Sequence, residues 1–107
     1  MVKVGEHIKS IAVEEINHFV SLEKATFAHT TDSRKYILDH TLDQLTDMLD
    51  PKQFFRINRQ FIVSIHGFTD IISYSNNRLK LNLKNDSTME AIVSRERVQD
   101  FKQWLDR

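Results

Sequence analysis

The sequence predicts a mainly β protein of antiparallel sheets, with about eight to ten short strands, one short internal helix and a C-terminal helix. Three observations carry that reading. Apolar and polar residues alternate in short runs, most cleanly over Arg78 to Lys84, where Leu79, Leu81 and Leu83 face one way and Arg78, Lys80, Asn82 and Lys84 the other. The runs are separated by Asn, Asp and Ser more than by Gly and Pro, of which the chain has only two and one. Only two stretches have apolar residues recurring at three and four, the period of a helix.

The elements follow in order. His7 to Ala12 alternates weakly and reads as a strand, and Val13 to Glu15 as one helical turn. Asn17 to Leu22 and Thr26 to Thr30 are rich in β-formers and flank a short polar connection at Glu23, Lys24 and Ala25, so they predict a hairpin. Thr31, Asp32 and Ser33 make a turn before a short strand over Tyr36 to Leu38. Thr41 to Leu49 changes period: Leu42, Leu45, Met48 and Leu49 form a stripe, Thr41 is placed as an N-cap, and Asp43 suits the positive end of the helix dipole. Asp50-Pro51 ends that helix, because a residue before proline avoids the helical region.

Phe54 to Ile65, FFRINRQFIVSI, is the most apolar run of the chain, yet it holds Arg56, Asn58, Arg59 and Gln60. At strand period Phe55, Ile57, Phe61 and Val63 share one side, and Arg56, Asn58 and Gln60 the other. Arg59 breaks the order. The break predicts two short strands meeting at a bend, with Arg59 displayed at the corner. Downstream, His66-Gly67 allows a turn, Thr69 to Ser75 reads as a strand, and Ser75-Asn76-Asn77 as a hairpin turn, since Asn tolerates positive φ. After Arg78 to Lys84, Asn85-Asp86-Ser87 turns again and Met89 to Val93 pairs back. Ser94 is read as the N-cap of a last helix whose stripe is Val98, Phe101, Trp104 and Leu105; Arg97 stands where a capping box needs Glu or Gln.

A chain of 107 residues predicts one domain over 1–107. It has no Cys, which excludes disulfides and thiolate metal sites. No run reaches the roughly 18–20 apolar residues of a membrane span, and the N-terminus lacks a signal peptide's apolar core. The expectation is a cytoplasmic domain with no membrane partner. Net charge is zero, but residues 1–50 hold five basic and nine acidic residues, and residues 51–107 ten and six. The zero balance argues against nucleic acid, whose partners are usually basic, but a neutral protein with a basic half can still present a basic face.

Catalytic motifs are missing: there is no Gly-rich phosphate loop, no HExxH and no GxSxG elbow. No cofactor and no metal site are expected. His7, His18, His29 and His40 recur every eleven residues, which would align them on a long helix; on strands and turns they have no reason to converge. The basic residues say more. Lys24, Arg56, Arg59, Arg95 and Arg97 fall at or near the ends of elements, and Arg is suited to fork-like contact with phosphate or guanine.

FFRINRQFIVSI, followed by a hairpin and then EAIVSRERVQDF, resembles the LytTR DNA-binding domain of bacterial response regulators. The Leu-rich TLDQLTDML and the strand–loop–strand INHFVSLEKATFAHT also fit, so the likeness covers nearly the whole chain. The resemblance implies an elongated domain of a transcriptional regulator. It would dock along double-stranded DNA and put inter-strand loops into successive major grooves of direct-repeat sites. It also implies a dimer on DNA and a preceding receiver domain in a two-component system. Carried over by position, the contacts are Lys24 and Thr26, then Arg56, Asn58, Arg59 and Gln60, then Arg95 and Arg97. Asn58 stands where His is common, Gln60 where Ser is common and Ser64 where Asn is common; these departures bear on base preference more than on binding. The alternative is a β-rich protein-interaction module that offers an exposed sheet edge. A small-molecule enzyme ranks third.

Overall fold

The computed structural model describes residues 2–3 and 10–106. In chain order the strands are β1 (Val2–Lys3), β2 (Ser10–Ile11), β3 (Ile16–Leu22), β4 (Ala25–Thr30), β5 (Lys35–Leu38), β6 (Phe54–Arg56), β7 (Phe61–Ser64), β8 (Phe68–Tyr74), β9 (Arg78–Leu83) and β10 (Asp86–Val93). Helix α1 (Leu42–Met48) lies between β5 and β6, and α2 (Val98–Leu105) ends the fold. Single 3-10 turns occupy Val13–Glu15 and Arg95–Arg97. The mainly β reading with two helices holds, and so does the elongation, with extents of 42 × 26 × 24 Å. Of the strand expected over His7 to Ala12, Ser10–Ile11 is present, while residues 7–9 lie outside the described residues. Among the described residues no helix is long and apolar enough to cross a membrane.

The hairpins form where local sequence asks for them. Glu23 and Lys24 have φ of 48° and 67°, a two-residue turn joining β3 to β4 with Leu22 opposite Ala25. Between β8 and β9, Asn76 and Asn77 also take positive φ, of 59° and 60°, in a three-residue connection over Ser75, Asn76 and Asn77 with Tyr74 opposite Arg78. Paired positive φ matches the right-handed twist of the flanking strands. The last hairpin turns at Lys84–Asn85, one residue earlier than expected, because Asn85 takes the positive φ and Asp86 already belongs to β10.

Helix α1 is capped by Thr41: its hydroxyl accepts from the Gln44 N–H at 3.1 Å, and Gln44 Oε1 accepts from the Thr41 N–H at 2.9 Å. The C-terminal helix departs from expectation: Ser94 stands at the N-cap position of the 3-10 turn that intervenes before α2, but its side chain accepts no capping bond there. Its hydroxyl donates to the Ile57 carbonyl at 3.3 Å.

Two antiparallel sheets carry the fold, ordered β5-β4-β3-β7-β6 and β10-β9-β8, with β1-β2 as a separate pair. The β3–β7 pairing joins strands distant in sequence, with Phe19 opposite Ile62. It makes β3 and β7 interior strands whose alternate residues serve opposite faces. Phe19 and Ile62 pack with Leu38, Leu42, Leu45 and Phe54 under α1. Val20, Phe61 and Val63 pack with Leu81, Leu83, Ala91 and Val93 of the second sheet and with Phe101 of α2. The one-sided pattern read for Phe54 to Ile65 is therefore corrected: all of β7 is buried, Ser64 included. Gly67 closes the turn after β7 against the backbone of Asn17, where a Cβ would lie 2.0 Å from the Asn17 carbonyl oxygen.

The histidines correct another expectation. The β3–β4 turn places His18 directly opposite His29, and their rings stack at 4.3 Å and 19°.

Candidate nucleic-acid interface

The bend between β6 and β7 is built by its own polar side chains. Asn58 Oδ1 accepts from the Gln60 N–H at 2.7 Å and from the Phe61 N–H at 2.9 Å, while its Nδ2 donates to the Ile92 carbonyl at 2.6 Å. Arg56 turns back under the bend, donating through Nε to the Asn58 carbonyl and through Nη2 to the Arg59 carbonyl, both at 3.0 Å. Its Nη1 pairs with Asp43 of α1 at 2.5 Å. The Asn58 and Arg59 carbonyls and the Gln60 and Phe61 amides are thus bonded to the bend's own side chains, which holds it rigid.

Three segments meet at one end of the five-stranded sheet. Because β7 runs antiparallel to β3, with Val20 opposite Phe61, the bend at 58–60 lies at the same end as the Glu23–Lys24 turn. The Ser21 N–H donates to the Gln60 carbonyl at 2.8 Å and seals that junction. From the other side, the Ser94 N–H donates to the Ile57 carbonyl at 2.9 Å, and Arg97 Nη1 reaches the Arg56 carbonyl at 3.4 Å. The segment leading into α2 is thereby strapped to the bend.

Each expected contact residue takes a definite place. Lys24, Arg59, Gln60 and Arg95 are exposed, and among the described residues none of the three cations is in an ion pair. Arg59, at the corner between β6 and β7, pairs with no buried carboxylate among the described residues. Arg97 is half-buried. Arg56 and Asn58 spend their polar atoms on the loop itself. Thr26 is 6 % exposed inside the sheet, between Ser21 and Leu38.

A hollow of about 520 Å³ runs between Arg59, Gln60, Ser94, Glu96 and Arg97, floored by Asn58. A second of about 510 Å³ opens beside it, where Arg95 meets Asn76 and Arg78 of the β8–β9 turn. Sequence reading passed over Asn76 and Arg78. Their one signal was a basic residue placed directly after an Asn-Asn turn.

This geometry, exposed cationic loops mounted on the end of a rigid antiparallel sheet, defines a β-rich binding domain that offers donors and positive charge to a polyanion. The profile described as the LytTr DNA-binding domain matches residues 6–106, and the chain belongs to that family, which is a DNA-binding family and not an enzyme family. The sensory transduction protein LytT of Enterococcus faecalis (strain ATCC 700802 / V583) is 30% identical over 100 residues, which are 94% of this chain. The chain spans 40% of that protein's length. A solved LytTr DNA-binding domain from Bacillus cereus shares the fold, with a TM-score of 0.82 at 17% identity, covering 99% of this chain and 94% of that one.

Proposed function

We propose that residues 1–107 are a single output domain of a transcriptional regulator that reads double-stranded DNA sequence in the major groove. The observation that carries this reading is Arg59: exposed and outside any ion pair among the described residues, on a bend that Asn58 and Arg56 make rigid. A rigid bend fixes the Arg59 backbone, and the planar guanidinium fork matches the two acceptors of a guanine edge. Gln60 stands beside it for an amide contact. Lys24 at one flank and Arg95 at the other contact phosphate or base, with Arg97 behind Arg95. Arg56, Asn58 and Thr26 serve as supports that place these groups.

The domain binds direct repeats as a dimer, each copy spanning successive grooves along one side of the duplex. The greater length of the enterococcal relative supports a further domain in the whole protein, a receiver in a cytoplasmic two-component pathway. Family membership favours this reading over a strand-edge interaction module.

Selection of bound duplexes from a random pool tests it, followed by anisotropy titrations at fixed salt. Arg59→Ala is expected to weaken specific binding by ~1–3 kcal/mol and to relax preference at one base position. Specific binding left intact by Arg59→Ala would remove Arg59 from the reading role. A pool with no enriched sequence would overturn the function.

A further inference from the structure

We propose that His18, His29 and Asp86 form a binding site for one borderline divalent transition-metal ion, of the Zn²⁺ class, that joins the two sheets. Three observations converge on it. His18 Nε2 lies 3.8 Å from Asp86 Oδ2, His29 Nδ1 lies 3.7 Å from the same oxygen, and all three ligand atoms lie within 4.8 Å of one another. Atoms bound tetrahedrally at about 2.1 Å from a common ion are roughly 3.4 Å apart, so the cluster is close to ligating dimensions.

The second observation is His18 itself. It is fully buried, its Nε2 lies towards Asp86, and neither of its ring nitrogens has a hydrogen-bond partner among the described residues. A buried, unpaired imidazole is costly, and an ion restores the lost interaction. The third is the donor set. Two imidazoles and one carboxylate suit Zn²⁺, Co²⁺ or Ni²⁺ better than Ca²⁺ or Mg²⁺, which want oxygen.

The remaining adjustment is modest. Stacked rings do not share an in-plane ion, so one ring must turn about its broad χ2 torsion. His29, with 19 % of its side chain exposed, has the room, and that exposed side leaves the fourth coordination position to solvent. Burial holds both imidazoles below the ordinary histidine pKa, so they are neutral ligands at pH 7 and protons do not compete. The ion would tie β3 and β4 to the start of β10.

Titration of the metal-stripped domain with ZnCl₂ by calorimetry, and with CoCl₂ by visible absorption, tests this. The expected result is one ion per chain at micromolar or lower Kd, with a Co²⁺ d–d band of tetrahedral or five-coordinate intensity. His29→Gln and Asp86→Asn should each weaken binding at least tenfold, while His66→Gln, at an exposed surface position, should leave it unchanged. Should a variant not fold, Co²⁺ added to the wild-type domain must broaden the ring-proton NMR signals of His18 and His29 before those of His40 and His66. Failure to saturate below 100 μM, unchanged affinity in both folded variants, or broadening confined to His40 and His66 would overturn the proposal.

Discussion

Asn58 offers the sharpest separation of scaffold from reader. Asn58→Ala removes two acceptor contacts to the Gln60 and Phe61 N–H groups and one donor contact to the Ile92 carbonyl. Gln60 is exposed, so water replaces its bond at little cost. The Phe61 N–H and the Ile92 carbonyl are partly buried and lose their partners, at about 1 kcal/mol or more each. The expected destabilisation is about 2–3 kcal/mol. For a chain of 107 residues that lowers Tm by roughly 9–13 °C, taking an unfolding entropy of about 2.1 cal/mol/K per residue. Thermal unfolding followed by circular dichroism measures it, with Arg59→Ala as the paired variant. Arg59 is exposed and its side chain is in no ion pair among the described residues, so its loss should move Tm by no more than about 2 °C, as for an ordinary surface change. An Asn58→Ala Tm within 2 °C of wild type would refute the bend's dependence on that side chain. An Arg59→Ala drop as large as that of Asn58→Ala would show that the two roles are not distinct.

Other consequences are as direct. Burial and the neighbouring His29 lower the His18 pKa from 6.5 to about 3, against the opposing pull of Asp86. The unfolded chain then binds a proton that the native state refuses, so stability is full above pH 6.5 and declines as pH falls toward 3. One such group costs about 2 kcal/mol between pH 7 and pH 5, and urea unfolding of His18→Gln over that range should show a flatter profile. Gly67→Ala forces a methyl into the Asn17 carbonyl and should destabilise by about 2–3 kcal/mol; an unchanged urea midpoint would contradict the close approach. Lys24→Ala should reduce the slope of log K against log salt by about one unit if Lys24 contacts phosphate, and leave the slope unchanged if it reads a base.

How much of this was legible depends on the range of the interaction. Local interactions were readable: the connection at Glu23 to Ala25 (of which Ala25 proves to open β4), the Ser75-Asn76-Asn77 turn, the Thr41 cap and the bend at Arg59 each involve residues within a few positions of one another. The eleven-residue histidine spacing carried more than was read from it. A two-residue turn centred between Glu23 and Lys24 sets 18 opposite 29, as it sets Phe19 opposite Ala28.

The sequence by itself determined the alternation of the strands, the turn chemistry between them, the two helical stripes and the parity break that sends Arg59 outward. Only the tertiary structure decided which polar residues build and which are left free. Ser94 read as the cap of the last helix, but a 3-10 turn follows it, and its hydroxyl donates to the Ile57 carbonyl, 37 positions away. Arg56 looked like a reader until the bend returned two carbonyls and α1 brought Asp43 within its reach. Strand β7 looked one-sided until β3 paired with it and put a core on each face. Asp86 reaches His18 and His29 only because the second sheet packs on the first. A side chain's nearest backbone partners are set by the chain around it, but its distant ones depend on how the sheets close. A hydrogen bond is made with whichever partner closure supplies.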